Sequence, residues 1–373
     1  MGMYIWYGFL IAMGVVQAVY FLFRIKRFYF VQKLSKGNKK IQYAIASIPV
    51  LVLIVLALFN MVQTVIVTMY LMIIWMLCDL VGVIIRKFTK KTCKIYIAGI
   101  VAVSLTLIFF GHGYYNAHNI QKTEITVKTN KEIVTQGVSL NKKDLKIAML
   151  SDSHVGTTFD GKEFGKICKK IMANSPDMVV VCGDYVDDDT TRQEMLDATK
   201  ALGQMKPRFG TYMVFGNHDG AYFNYRDFST NDLRNELKKN GVVLLEDETR
   251  MPYGGFYLIG RKDKYKKDRL SAKAFTDKVD TDKYFTIILD HQPNDFDAEA
   301  KTKADLVLCG HTHGGQLIPL GWMTDIFHTN DCRYGLVKKG DTTFFTSSGI
   351  AGWGVPFKTG AKSEYVIINV EHK

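Results

Sequence analysis

Four long apolar runs fill the first third of the chain, at 3–23, 41–59, about 64–85 and 95–114. A helix needs about 20 apolar residues to cross the hydrocarbon core of a bilayer, so each run predicts a membrane span. Residues 60–63 leave room only for a tight hairpin, which makes the second and third spans antiparallel neighbours. No charge precedes Arg24 and further spans follow the first, unlike a cleaved signal peptide, so cleavage is not expected. From about Asp144 the pattern changes to short β-branched or apolar runs alternating with helical periodicity. Strands are predicted at 146–150, 178–182, 211–215, 242–245, 256–259, 284–289, 305–308, 342–346 and 365–370, and helices at 162–173, 192–205 and 231–239. That alternation implies α/β layering. The chain therefore divides into a four-span region at 1–115, a connector with an edge strand at 116–143, and an α/β domain at 144–373.

Charge sharpens this division. The formal net charge is +12. Residues 1–115 hold twelve of the 48 Lys and Arg but a single acidic residue, Asp79. The remainder carries 36 basic against 35 acidic residues, so the soluble part is nearly neutral and a nucleic-acid partner is not expected. The basic residues of the first part crowd into two loops, one from Arg24 to Lys40 and one from Arg86 to Lys94. By the positive-inside rule both loops are cytoplasmic, which puts the C-terminal domain outside the cytoplasm. Asp79, close to the second basic loop, is expected to pair with Arg86 or Lys87 at the interface rather than to act inside the membrane. Six cysteines form no CxxC pair, and Cys182 and Cys309 read as small core residues at the ends of apolar runs.

Polar clusters stand where the predicted strands stop. They are Asp152-Ser153-His154, Gly183-Asp184-Tyr185-Val186-Asp187, Gly216-Asn217-His218-Asp219, His291, and Gly310-His311-Thr312-His313. Ligands gather beyond the carboxyl ends of strands in α/β sheets, so five such clusters converge on one site. Residues two apart in an extended strand point the same way, which would let Asp152 and His154 grip one cation. Glycines before Asp184, Asn217 and His311 permit sharp turns. Five of the nine histidines fall in these clusters, and carboxylate, imidazole and amide oxygen together suit manganese, iron or zinc. Asp187 heads an acidic run before a helix, where N-capping and support of the site are equally plausible roles.

The ordered series Asp152-x-His154, Gly183-Asp184-x-x-Asp187, Gly216-Asn217-His218-Asp219, His291, Gly310-His311-x-His313 resembles the signature of calcineurin-like metallophosphoesterases, in particular their bacterial membrane-associated branch. The resemblance covers about 144–370. It implies a four-layer α-β-β-α sandwich with two divalent ions, manganese foremost and iron or zinc as alternatives. Asp152, His154 and His313 would hold the first ion, Asn217, His291 and His311 the second, and Asp184 would bridge them. A hydroxide between the ions would attack phosphorus, giving a phosphomonoesterase or phosphodiesterase. His218 would assist the leaving oxygen, with Asp219 orienting its ring. Two departures from the family pattern, Lys358 where an Arg is expected and Ser363-Glu364 where Pro-Glu is expected, bear on which substrate is taken.

The substrate itself is less legible. Phe223, Trp322 and Trp353 fall in loops after the cluster-bearing strands and are expected to rim the site, with Arg226 a candidate for a second phosphate contact. The short connector after the fourth span keeps the domain near lipid, which points to a lipid-linked phosphoester. The competing reading of the aromatics is that they pack beneath loops. The competing reading of the whole chain is a catalytically silent sensor or scaffold, which calls for a lost ligand, and none is lost.

Overall fold

The computed structural model describes residues 2–90, 94–131, 133, 144–221, 226–252 and 255–373. They form two compact units, Met1–His112 and Gly113–Lys373.

In the first unit the apolar runs are helices α1 (Gly2–Ile25), α3 (Lys39–Phe59), α4 (Met61–Thr89) and α5 (Ile97–His118), with a short α2 (Tyr29–Ser35) between the first two long ones. All four are long and apolar enough to cross a membrane. Asn60 closes the hairpin, ending α3 and capping α4 through its side chain on the Gln63 N–H. Buried Phe21, Val50, Trp75 and Ala102 pack together at the heart of the bundle. Asp79 does not take the expected partner. It pairs with Arg24 at 2.9 Å and Arg27 at 3.5 Å. Arg86 lies two helical turns further along α4, about 10 Å away along the axis, whereas the end of α1 is beside it.

The second unit begins within α5 and contains β1 (Gln121–Thr129), β2 (Leu145–Leu150), β3 (Met178–Cys182), β4 (Thr211–Val214), β5 (Val242–Leu244), β6 (Glu248–Arg250), β7 (Tyr257–Gly260), β8 (Thr286–Leu289), β9 (Leu306–Cys309), β10 (Gly335–Lys339), β11 (Thr342–Thr346) and β12 (Glu364–His372). Its helices are α6 (Gly161–Met172), α7 (Arg192–Gln204), α8 (Thr230–Lys239), α9 (Ala272–Thr276), α10 (Phe296–Ala300) and α11 (Leu320–Ile326). One sheet runs β1-β12-β2-β3-β4-β5 and the other β10-β11-β9-β8-β7-β6. The central strands β2 to β5, and likewise β7, β8, β9 and β11, are parallel, so each sheet presents a row of carboxyl ends.

Alternation along the strands builds the four layers. On β3, Met178, Val180 and Cys182 face the second sheet and meet Leu258, Ile287, Leu289 and Leu308. Val179 and Val181 face the other way, against Phe164, Cys168 and Ile171 of α6 and Met195, Ala198 and Leu202 of α7. On the far side, Ile259, Ile288, Val307 and Phe344 pack on Phe275 of α9 and Phe296 of α10. The strands are therefore continuous apolar runs because both faces are covered. Capping boxes at Asp160/Glu163, Thr191/Glu194 and Ser229/Asp232 start α6, α7 and α8. Strand β1 pairs with β12 at the edge of the first sheet, and the connector residues 134–143 lie outside the described residues.

Candidate active site

The ends of β2, β3, β4, β8 and β9 bring Asp152, His154, Asp184, Asn217, His218, His291, His311 and His313 into one region between the sheets. Three triplets have ligand atoms lying within 4.8 Å of one another, Asp152–His154–His313, Asp184–His291–His311 and, sharing His154, His154–Asp187–His218. Asp184 stands between the first two, with Oδ2 3.0 Å from His291 Nε2 and 3.8 Å from His154 Nε2. Its other oxygen accepts the His218 backbone N–H at 2.9 Å, which ties the β3 loop to the β4 loop.

Backbone conformation aims these groups, by a different route from the one expected of an extended strand. β2 stops at Leu150, and Asp152 and His154 both adopt left-handed backbone, with φ of 52° and 35°. Asp184, His311 and His313 do the same, with φ of 50°, 72° and 49°. Such conformations cost about 1–3 kcal/mol each and collect at functional sites. Cross-links hold the strained loops in place. Asp152 N–H donates to Gly183 O at 3.0 Å, His154 N–H to Asp184 O at 3.1 Å, and His311 N–H to Asp152 Oδ1 at 2.7 Å. The glycines also differ from expectation. Gly183 has φ of 80°, but Gly216 and Gly310 are required for room, because a Cβ on them would collide with the carboxylates of Asp184 and Asp152.

The donor set fits a divalent cation. His291 Nδ1 donates to Cys182 O at 2.8 Å and His313 Nδ1 to Ala351 O at 3.1 Å, which fixes the tautomers and leaves both Nε2 lone pairs facing the site. His154 and His313 oppose their Nε2 atoms at 3.2 Å. Asp152 Oδ2, Asn217 Oδ1 and His311 Nδ1 are buried without a hydrogen-bond partner among the described residues. Buried polar atoms are ordinarily satisfied, and a set of them pointing at one place is what metal ligands require. Burial would raise the Asp184 pKa, but His291, His154 and His218 outweigh it and hold the carboxyl well below its ordinary range. Burial and the neighbouring His291 lower the His311 pKa to about 3, and burial with His154 lowers that of His313, so both rings keep their lone pairs.

Asp219 departs from its expected part, while Asp187 takes the supporting one of the two roles open to it. The Asp219 carboxylate accepts the N–H groups of Tyr185 at 2.9 Å, Val186 at 3.1 Å and Gly216 at 2.8 Å, so both its oxygens are committed to backbone. It pins the β3 and β4 loops together. The His218 ring is held instead by Asp187, whose Oδ1 lies 2.9 Å from Nδ1 while its Oδ2 lies 3.0 Å from His154 Nδ1. Asp187 is not the cap of α7; Thr191 is. Burial opposes a charge on the His218 ring, yet Asp187 and Asp184 raise its pKa to about 9.

The remaining substrate candidates separate. Phe223, with the rest of 222–225, lies outside the described residues. Arg226 donates through Nη2 to Asp219 O at 3.0 Å, while its Nε and Nη1 lack partners among the described residues, and it lines a cavity of about 650 Å3. Trp322 is half exposed on α11, and the Trp353 ring lies 5.6 Å from that of His218. Lys358, where the family pattern has Arg, is wholly buried and donates to the carbonyls of Ser348 and Gly349.

Residues 145–315 match the calcineurin-like phosphoesterase family. An uncharacterized metallophosphoesterase of Campylobacter jejuni is 30% identical over 301 residues, covering 79% of this chain and 76% of that protein. An uncharacterized metallophosphoesterase of Helicobacter pylori is 30% identical over 234 residues, 61% of this chain and 60% of its own length. A bovine transmembrane protein with a metallophosphoesterase domain is 27% identical over 295 residues, 74% of this chain and 62% of that protein.

Proposed function

Since the chain belongs to the calcineurin-like metallophosphoesterase family, we propose that its C-terminal domain hydrolyses phosphate esters with two divalent cations, manganese by preference. Asp152, His154 and His313 would hold one cation, Asn217, His291 and His311 the other, and Asp184 would serve both. The observation that carries this reading is the pair of adjacent Asp/His triplets, in which Asp152 Oδ2 and His311 Nδ1 are buried without a hydrogen-bond partner among the described residues. When bound, the cations polarise the phosphoryl group and lower the pKa of a water. The chain's own residues do the rest. Asp187 holds the rings of His154 and His218 through their Nδ1 atoms. The Nε2 atom of His218 is thereby left to give a proton to the departing oxygen. Asp219 keeps the two loops that carry Asp184 and Asn217 in register through its three backbone contacts.

The four apolar helices anchor this enzyme in a membrane, with both basic loops in the cytoplasm and the catalytic domain outside it. A reporter fused after Lys373 then reads as extracytoplasmic; a cytoplasmic reading reverses the placement. The substrate is a lipid-linked phosphoester. Leu320, Trp322, Met323, Ile326 and Phe327 are exposed on and just after α11. A hydrogen-bonded strip joins them to the last turns of α5: Lys358 N–H donates to Gly113 O at 2.9 Å, Thr359 N–H to Gln316 O at 2.8 Å, and Ile318 N–H to Thr359 Oγ1 at 3.0 Å. An exposed apolar patch of this kind suits an acyl tail.

Activity of the purified protein with manganese against phosphomonoesters, nucleotide diesters and lipid phosphates tests both parts. Turnover that chelation abolishes and manganese restores supports the two-metal reading, and no turnover of any ester overturns it. A preference for the lipid phosphoester that Trp322→Ala removes supports the tail contact. Equal use of a short soluble analogue, or equal loss of both substrates in Trp322→Ala, overturns it.

A further inference from the structure

The helical unit holds a second built site that the hydrolytic chemistry does not use. Among its described residues, Asp79 is the sole carboxylate, and it is only 12% exposed. It receives Arg24 at 2.9 Å, Arg27 at 3.5 Å and the Tyr96 hydroxyl at 2.6 Å, and Tyr96 in turn accepts the Trp75 indole N–H at 2.9 Å. Arg24 lies over the Tyr20 ring and Arg27 over the Tyr96 ring, with guanidinium carbons 5.0 and 4.2 Å from the centroids. Both guanidinium groups are thus fixed by carboxylate and aromatic contacts rather than left to wave in solvent.

They border a cavity of about 260 Å3 that the exposed Arg86, near the end of α4, also lines. Arg86 pairs with no carboxylate among the described residues, so three guanidinium groups face one carboxylate and the cavity keeps two positive charges in excess. Met76, Leu80 and Val83 complete the wall, and with Arg86 they recur at the three- and four-residue spacing of a single face of α4. Leu80 and Val83 thus line the wall between the Asp79 pairs and Arg86. The space is below the roughly 300–1,000 Å3 of a pocket for a drug-sized ligand and suits one small anion. Arginine forks match phosphate oxygens, and basic pockets between membrane helices hold lipid headgroups.

We propose that Arg24, Arg27 and Arg86 form a binding site for the phosphate of an anionic phospholipid, whose acyl chain lies along Met76, Leu80 and Val83. Asp79 is the positioning residue, holding two of the three guanidinium groups in place. This rests on the reading of these helices as membrane spans and is independent of the phosphoesterase site.

The test uses the full chain in nanodiscs of phosphatidylcholine, with phosphatidylglycerol titrated in and bound lipid counted by native mass spectrometry. Phosphatidylglycerol is expected to be retained in preference to phosphatidylcholine. Arg86→Gln, which breaks no ion pair among the described residues, is expected to weaken that retention about tenfold, the effect of losing one charge-assisted contact. Lys40→Gln, a basic residue outside the cavity, is expected to leave it unchanged. Equal retention in the parent and Arg86→Gln, or equal losses in Arg86→Gln and Lys40→Gln, overturns the site. Millimolar inorganic phosphate that displaces the lipid completely shows that the site takes a free anion and overturns the lipid assignment. Hydrolysis of a soluble phosphoester by the same preparations is expected to be the same in all three proteins, and its absence counts against the phosphoesterase reading alone.

Discussion

Replacing Asp187 by asparagine changes one oxygen for an amide and leaves the volume of the side chain almost unaltered. In the folded protein its two oxygens stand 3.0 Å from His154 Nδ1 and 2.9 Å from His218 Nδ1, and the side chain is 11% exposed, so water screens little of either contact. Asparagine keeps one acceptor and loses the charge. The expected deficit is the close carboxylate contact that orients the His154 ring, about 10–100-fold in affinity for a cation at the His154 triplet. The triplet of Asp184, His291 and His311 includes no group that Asp187 holds and is linked to the other only through Asp184, so it is expected to lose less affinity than the His154 triplet. Manganese titration of the chelator-stripped protein by calorimetry separates the two events. Turnover is expected to fall with the weaker site and to recover partly at high manganese. Two unchanged affinities would refute the role assigned to Asp187. Equal weakening of both sites together with a lowered melting temperature would show a folding defect instead.

Two further outcomes follow from the same geometry. Gly183→Ala places a methyl group against the His291 ring at a backbone φ of 80°, so it is expected to abolish hydrolysis and metal retention, and near-parental activity in a steady-state assay would show that the loop has room to move. Burial lowers the Lys358 pKa to about 7 despite the charges of Asp152 and Glu364. Its folded pKa lies below the unfolded value of about 10.4, so the unfolded chain binds the extra proton between these limits and stability is expected to rise with pH from about 7 to 10. Lys358→Met is expected to lack that rise, so the melting temperature of the parent gains on the variant with pH, and a constant difference across the range would contradict it.

The sequence carried much of this because its strongest signals were long or chemically unusual. The spans, the buried strands and the helices with capping boxes coincide with observed elements because burial on both faces writes apolar runs, as at 178–182. What escaped notice is short or exposed. Strand β10 carries Lys338 and Lys339 with nearly every residue exposed, and α9 and α10 are five residues long, too short for a periodic pattern. The site was legible as residue types at strand ends. Its geometry was not, because the left-handed backbone of Asp152, His154 and Asp184 is imposed by hydrogen bonds between loops distant in sequence. For the same reason the parts of Asp187 and Asp219 could not be separated in advance. Both are acidic residues near a histidine, and only the fold decides which one meets a ring and which one meets backbone N–H groups. The pairing of Asp79 with Arg24 rather than Arg86 likewise depends on which helix end lies beside it.

The reading of a shared carboxylate at the centre of a two-cation phosphoesterase meets its most direct test in Asp184→Ala. Metal content by mass spectrometry and hydrolysis of an activated phosphoester are measured on the same folded preparations of parent and variant. Two manganese ions per chain with turnover in the parent, against at most one ion and no turnover in the variant, is the expected result. Near-normal hydrolysis by a well-folded Asp184→Ala protein would contradict it.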